Sequence, residues 1–130
     1  MRTKPEYFYL NNGENRIHST DITELASLAL TLKPLPDITE EAGYAAALYE
    51  YMNKNSNHLL FDSFNLLYSD SVGKEMLDNY IKLFIIEKSF IMEGAKEDTI
   101  RAHNIISNKC SELLQYNRLT FEESASKMKR

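Results

Sequence analysis

A chain of 130 residues, 43 % apolar and 26 % charged, has the size and composition of one globular domain with enough apolar material for a core of its own. A single cysteine, Cys110, excludes an internal disulfide, and strongly apolar runs such as Leu83–Ile86 are far too short for a membrane span. The formal charge of −4 resides in the first half, where five basic residues meet nine acidic ones in positions 1–65, against ten of each in 66–130. Phosphate neutralisation needs a basic field, so this balance speaks against nucleic acid as a partner.

The opening MRTKPEYFYL has no apolar signal-peptide core and no small-residue cleavage site, so a cytoplasmic location is expected. Tyr7–Leu10 is β-prone, and NNGE then NRIH follow it. An Asn-Gly pair between such runs predicts a β-hairpin with a tight turn. A lone hairpin is marginal in water, so it must pack on helices or pair with another strand.

The tetrapeptide DITE occurs at Asp21–Glu24 and again at Asp37–Glu40, each time before alanine-rich apolar sequence. Asp followed three residues later by Glu is a variant of the capping box, so both copies predict helix starts with Asp21 and Asp37 as caps. Ile22, Leu25, Ala29 and Leu32 then form one inner stripe, and Ile38, Ala42, Ala45, Tyr49 and Met52 another. Pro34 and Pro36 in KPLPD separate them. A spacing of 16 residues without a third copy is not a repeat array.

After the polar NKNSN, a third helix is expected over about His58–Tyr68, with Leu60, Phe61, Phe64, Leu67 and Tyr68 on one side. SDSVGK caps a long fourth helix over about Val72–Met92, closed by Gly94. Met76, Leu77, Tyr80, Ile81, Leu83, Phe84, Phe90 and Ile91 define its broad apolar face, while Ile85 and Ile86 fall on the other side. A helix apolar on both sides is either central or offers a second surface to a partner. The central place is the expectation, with the Ile85/Ile86 side as the candidate surface. The fifth helix carries Ala102, Ile106, Cys110 and Leu113 inward, with Ile105 and Tyr116 beside them. Thr120 with Glu123 marks a short sixth helix. The expected fold is therefore all-α: a single domain over 1–130, with a hairpin arm over 1–19 and a compact bundle of five to six helices over 20–130.

Glu87 falls inside the apolar face of the fourth helix and needs a partner there. Antiparallel packing on the fifth helix brings it to His103, as a structural polar pair. The same fold sets Lys109 either against the Tyr80 hydroxyl or snorkelling to the surface. His18, His58 and His103 occupy three separate segments without ligand spacing, and no HExxH, CxxC or Glu-x-x-His pattern occurs. Glu40–Glu41 and Glu97–Asp98 lack the spacing by which helical nucleoside-triphosphate pyrophosphatases hold Mg²⁺. Neither a phosphate-binding glycine loop nor a nucleophile elbow is present, and Cys110 on an apolar stripe reads as a small hydrophobe. No catalytic residue, cofactor or metal is expected.

The functional expectation is a small non-enzymatic protein that occludes a surface on another protein: an inhibitor, immunity protein or adaptor, of the kind that phages and mobile elements encode. Tyr is suited to interfaces, and the tyrosines of the first half stand among carboxylates. Asp37, Glu40, Glu41, Tyr44, Glu50 and Tyr51 are therefore the candidate face for a basic protein, with Ile85 and Ile86 as a second surface. Two alternatives stand beside it. One is a self-assembling structural component that pairs through the hairpin edge, so a homo-oligomer. The other is a DNA-associated regulator built on the two DITE helices, whose second helix would lead into the groove with Asp37, Glu40 and Glu41 and so repel phosphate.

Overall fold

The computed structural model describes residues 7–10, 14–93 and 97–128. Strands β1 (Tyr7–Leu10) and β2 (Asn15–His18) form an antiparallel hairpin, followed by helices α1 (Ser19–Ala29), α2 (Glu40–Lys54), α3 (Phe61–Tyr68), α4 (Ser71–Glu93) and α5 (Glu97–Met128). The fold is mainly helical with a small N-terminal hairpin. The expected Asn-Gly turn, the Gly94 stop and the side-chain positions of Phe90 and Ile91 lie outside the described residues. Leu10 pairs with Asn15 in the last described pair of the hairpin.

The hairpin is part of the core rather than an arm. Phe8, Leu10 and Ile17 are buried in one cluster with Ile22 and Leu25 of α1, Leu48 and Met52 of α2, Phe64 and Leu67 of α3, and Met76, Leu77 and Ile81 of α4. Strand alternation explains the choice: Phe8, Leu10 and Ile17 share the inward face, while Tyr7, Tyr9 and Arg16 take the other. On the outer side Arg16 lies 4.3 Å above the Tyr7 ring, and Tyr7 meets His18 edge-on at 5.2 Å. The β1 edge is closed by α5. Tyr9 N–H donates to the Asn117 side-chain oxygen, and Asn117 Nδ2 donates back to Tyr9 O at 2.8 Å. A primary amide supplies both partners that a third strand would have supplied there.

Helix α4 is the hub, packing against α1, α2, α3 and α5. Asp70 starts it, its Oδ1 accepting from Val72 N–H at 2.9 Å and Gly73 N–H at 3.1 Å. Gly73 lets the α3 terminus sit close: a Cβ there would lie 2.8 Å from Leu67 O. The core thins along α4. Its buried residues stop at Ile81, and Lys82 to Glu87 are only partly buried. On α5 nothing before Cys110 is buried; Cys110 and Leu114 make the inward contact, with Ile106 and Leu113 packed beside them. Ile85 is partly buried and packs against the core, in keeping with the expected central place of α4.

The expected sixth helix is absent as a separate element, because α5 runs unbroken from Glu97 to Met128. Neither Pro nor Gly interrupts that stretch, and the Arg118–Glu122 pair at 3.1 Å spans the expected break at Thr120. A capping signature has no force where the preceding backbone is already helical. Among the described residues, no helix is long and apolar enough to cross a membrane.

Candidate protein-binding surface

The segment between α1 and α2 is where the sequence and the structure part most. Helix α1 ends at Ala29, well before the prolines, and Leu30 to Thr39 form the connection. Pro34 and Pro36 hold it extended by restricting the residues before them. Leu35 then folds back on the first turn of α2, its N–H donating to Gly43 O at 3.2 Å. This approach requires glycine at 43, since a Cβ would stand 2.7 Å from Leu35 O. Asp37 takes a φ of 68°, the one non-glycine residue in the left-handed region among the described residues. Asp tolerates that region better than most side chains, at a cost of roughly 1 kcal/mol.

The sharp turn has two results. Thr39, not Asp37, caps α2, its hydroxyl accepting from Ala42 N–H at 3.4 Å. Ile38 does not enter the inner stripe; it stands 52 % exposed between the carboxylates of Asp37 and Glu40, with Leu35 exposed nearby. The outcome is a loop that exposes Leu35 and Ile38, with the exposed Asp37 and Glu40 next to Ile38 along the chain, and that is tied to α2 at Gly43. Sequence reasoning placed Ile38 inside and passed over Leu35. The Pro-Leu-Pro spacing was the available signal, because an extended, turn-forming segment cannot carry a helical stripe forward.

The candidate residues are only partly gathered here. Asp37 and Glu40 flank Ile38 and are exposed. Glu41 is engaged: its Oε1 lies 3.7 Å from Lys82 Nζ on α4. Asp78 stands in the same neighbourhood. Its carboxyl pKa is raised, first by burial and further by Glu41 and Glu75, against the opposing pull of Lys74 and Lys82. Tyr44 is buried in the core, which corrects its assignment to a partner surface. The turn of α2 that carries Ala45 and Leu48 inward takes Tyr44 with it. Tyr51 is half-buried and meets His58 edge-on at 5.9 Å. Glu50 is exposed, but ten residues along the helix it lies about 15 Å from Glu40. Ile86 is half-buried on α4. The single tyrosine-bearing acidic face is thus dispersed. Tyr49 instead stacks on Tyr68 at 5.0 Å, joining α2 to α3.

At the other end of α2, Leu59 is 96 % exposed. The turn carrying it is fixed by Leu60 N–H donating to His58 Nδ1 at 3.0 Å and Phe61 N–H donating to His58 O at 3.0 Å.

The polar groups weighed for chemistry are spread out. His103 Nδ1 lies 3.7 Å from Glu87 Oε1, an ion-pair distance longer than a hydrogen bond, and both side chains reach solvent. Lys109 is exposed, and the group near Tyr80 is the Cys110 thiol. Burial pushes Cys110 up to about 11; burial, and then the Cys110 charge, push Tyr80 up to about 12. Both stay protonated at neutral pH, so this thiol is no ready nucleophile. Among the described residues, no group of three or more His, Cys, Asp or Glu side chains is gathered to hold a metal ion.

Compared with known proteins, the chain matches no family model, no curated protein and no solved structure.

Proposed function

We propose that the chain is a small non-enzymatic protein that binds another protein, of inhibitor, immunity or adaptor type, and that it docks through the loop before α2. The observation that carries this reading is Ile38. An isoleucine is held in solvent directly after a left-handed Asp37, in a loop pinned to Gly43. Strained backbone beside an exposed apolar side chain is the usual mark of a site that the fold maintains against local preference. Leu35 and Ile38 suit a shallow apolar pocket on the partner, and Asp37 with Glu40 suit a basic rim around that pocket. The mechanism is occlusion: the loop fills the partner's pocket and α2 covers its margin.

The alternatives have less behind them. Asn117 occupies the β1 edge at Tyr9, which leaves little of that edge for strand pairing in trans. A DNA-reading role for α2 meets Glu40 and Glu41 in its first turn.

The test is a comparison of two baits in lysate of the native host: the wild-type chain and Leu35→Ser/Ile38→Ser. Both positions are exposed, so the variant keeps its fold. Proteins enriched by the wild type and lost with the variant support the reading. Equal recovery with both baits removes the loop from binding.

A further inference from the structure

Helix α5 has a second, outward face that stays exposed among the described residues. Ile105 is 61 % exposed and Tyr116 70 % exposed, and Leu119 is exposed beside them. Lys109 and Glu112 stand between Ile105 and Tyr116 and are also exposed. At 3.6 residues per turn, positions 105, 109, 112 and 116 follow one stripe about 16 Å long. That stripe points away from Cys110 and Leu114, which face the core.

The order of residues along the stripe is what identifies its occupant. It reads apolar, basic, acidic, apolar. Reversed, it reads apolar, acidic, basic, apolar, which is its own complement. Laid antiparallel on a second copy, Ile105 meets Tyr116 and Lys109 meets Glu112. Two-fold symmetry repeats each contact, giving two Ile–Tyr contacts and two ion pairs from four positions. The same arrangement sets the helix dipoles in opposition. A parallel pairing would face Lys109 with Lys109 and Glu112 with Glu112. Lys109 and Glu112 make no ion pair among the described residues, so both remain available.

We infer that this chain self-associates as an antiparallel, two-fold dimer through the outer face of α5, in the register that pairs Ile105 with Tyr116 and Lys109 with Glu112. The interface is one helix face wide, below the size of a standard stable interface, so the dimer is weak and forms toward high concentration. It uses no residue of the Leu35–Ile38 loop, and it stands or falls independently of the binding role proposed for that loop.

Sedimentation equilibrium over about 10 µM to about 1 mM reads the association directly. The wild type is expected to pass from monomer to dimer in that range. Lys109→Glu sets acid against Glu112 and is expected to weaken the dimer about tenfold; the double swap Lys109→Glu/Glu112→Lys restores the complement and returns it to near the wild-type level. Tyr116→Ser weakens it without changing charge. All of these positions are exposed, and circular dichroism checks that each variant is folded. A wild type that stays monomeric at the top of the range overturns the inference. So does a dimer indifferent to Lys109→Glu and Tyr116→Ser, or one that the swap fails to restore.

Discussion

The same four residues, Asp-Ile-Thr-Glu, adopt two structures in this protein. At Asp21–Glu24 all four are helical. At Asp37–Glu40 only the last is. Ile22 is fully buried, while its counterpart Ile38 stands in solvent. Asp21 lies in the first turn of α1, where its Oδ2 accepts from Ser63 Oγ at 3.3 Å; Asp37 lies outside α2 with a positive φ. The difference comes from what precedes each copy. Strand β2 feeds straight into α1 through an extended His18, whose Nδ1 accepts from Thr20 N–H at 3.1 Å, so the helix has begun before Asp21 is reached. The second copy follows Pro34 and Pro36, which keep the chain out of the helical region until Thr39. A tetrapeptide with helix-start chemistry fixes roughly where a helix begins. The direction of arrival decides which of its residues does the capping.

Substitutions at matched positions put that contrast under strain. Ile22→Ala is expected to cost about 2–4 kcal/mol from the lost burial and the cavity left behind, whereas Ile38→Ala changes stability by less than about 0.5 kcal/mol. Urea denaturation of the two variants decides it, and equal midpoints would mean that the two isoleucines share one environment after all. Gly43→Ala comes next. Alanine gains up to about 1 kcal/mol of helix propensity, but its Cβ meets Leu35 O, so a net loss of about 1 kcal/mol or more is expected. A more stable Gly43→Ala protein would show that the loop is not pinned there.

The aspartates separate by sign. Asp37→Gly relieves the left-handed backbone and is expected to raise stability by up to about 1 kcal/mol. Asp21→Gly loses helix propensity and a favourable charge in the first turn, and lowers it by about 1 kcal/mol. Thermal melting shifts in the same direction for both variants would contradict the assignment. The threonines give the smallest contrast. Thr39→Ala removes a cap and costs about 0.5–1 kcal/mol. At Thr23 the hydroxyl back-bonds to Ser19 O at 3.1 Å within an existing helix, so Thr23→Ala is close to neutral, within about 0.5 kcal/mol.

These residues also mark what could be read from the sequence. The hairpin, five helices and the central position of α4 were legible, because periodic apolar residues and Gly/Pro punctuation report on burial directly. Both caps were misplaced, since capping depends on the path of the approaching chain, and that path is set by tertiary contacts such as Leu35 on Gly43. Thr120 misled for the same reason in reverse: a cap signature inside a continuing helix has no free N–H to satisfy. Of the proposed docking loop, the sequence expectation included Asp37 and Glu40, placed Ile38 inside and left out Leu35. An exposed isoleucine looks like a buried one until the backbone turn that expels it is known. Tyr44 failed through rotation: a few tens of degrees about the α2 axis separate a tyrosine at an interface from one in the core.

The Asn117 clasp on Tyr9 joins positions 108 residues apart. During synthesis at about 5–20 residues per second, several seconds or more pass between the appearance of Tyr9 and that of Asn117. Until then the Tyr9 amide and carbonyl do not have the Asn117 side chain that receives them in the folded protein. A nascent chain stalled before Asn117 would lack that clasp for as long as the stall lasted, so the last helix completes a contact that the first strand begins.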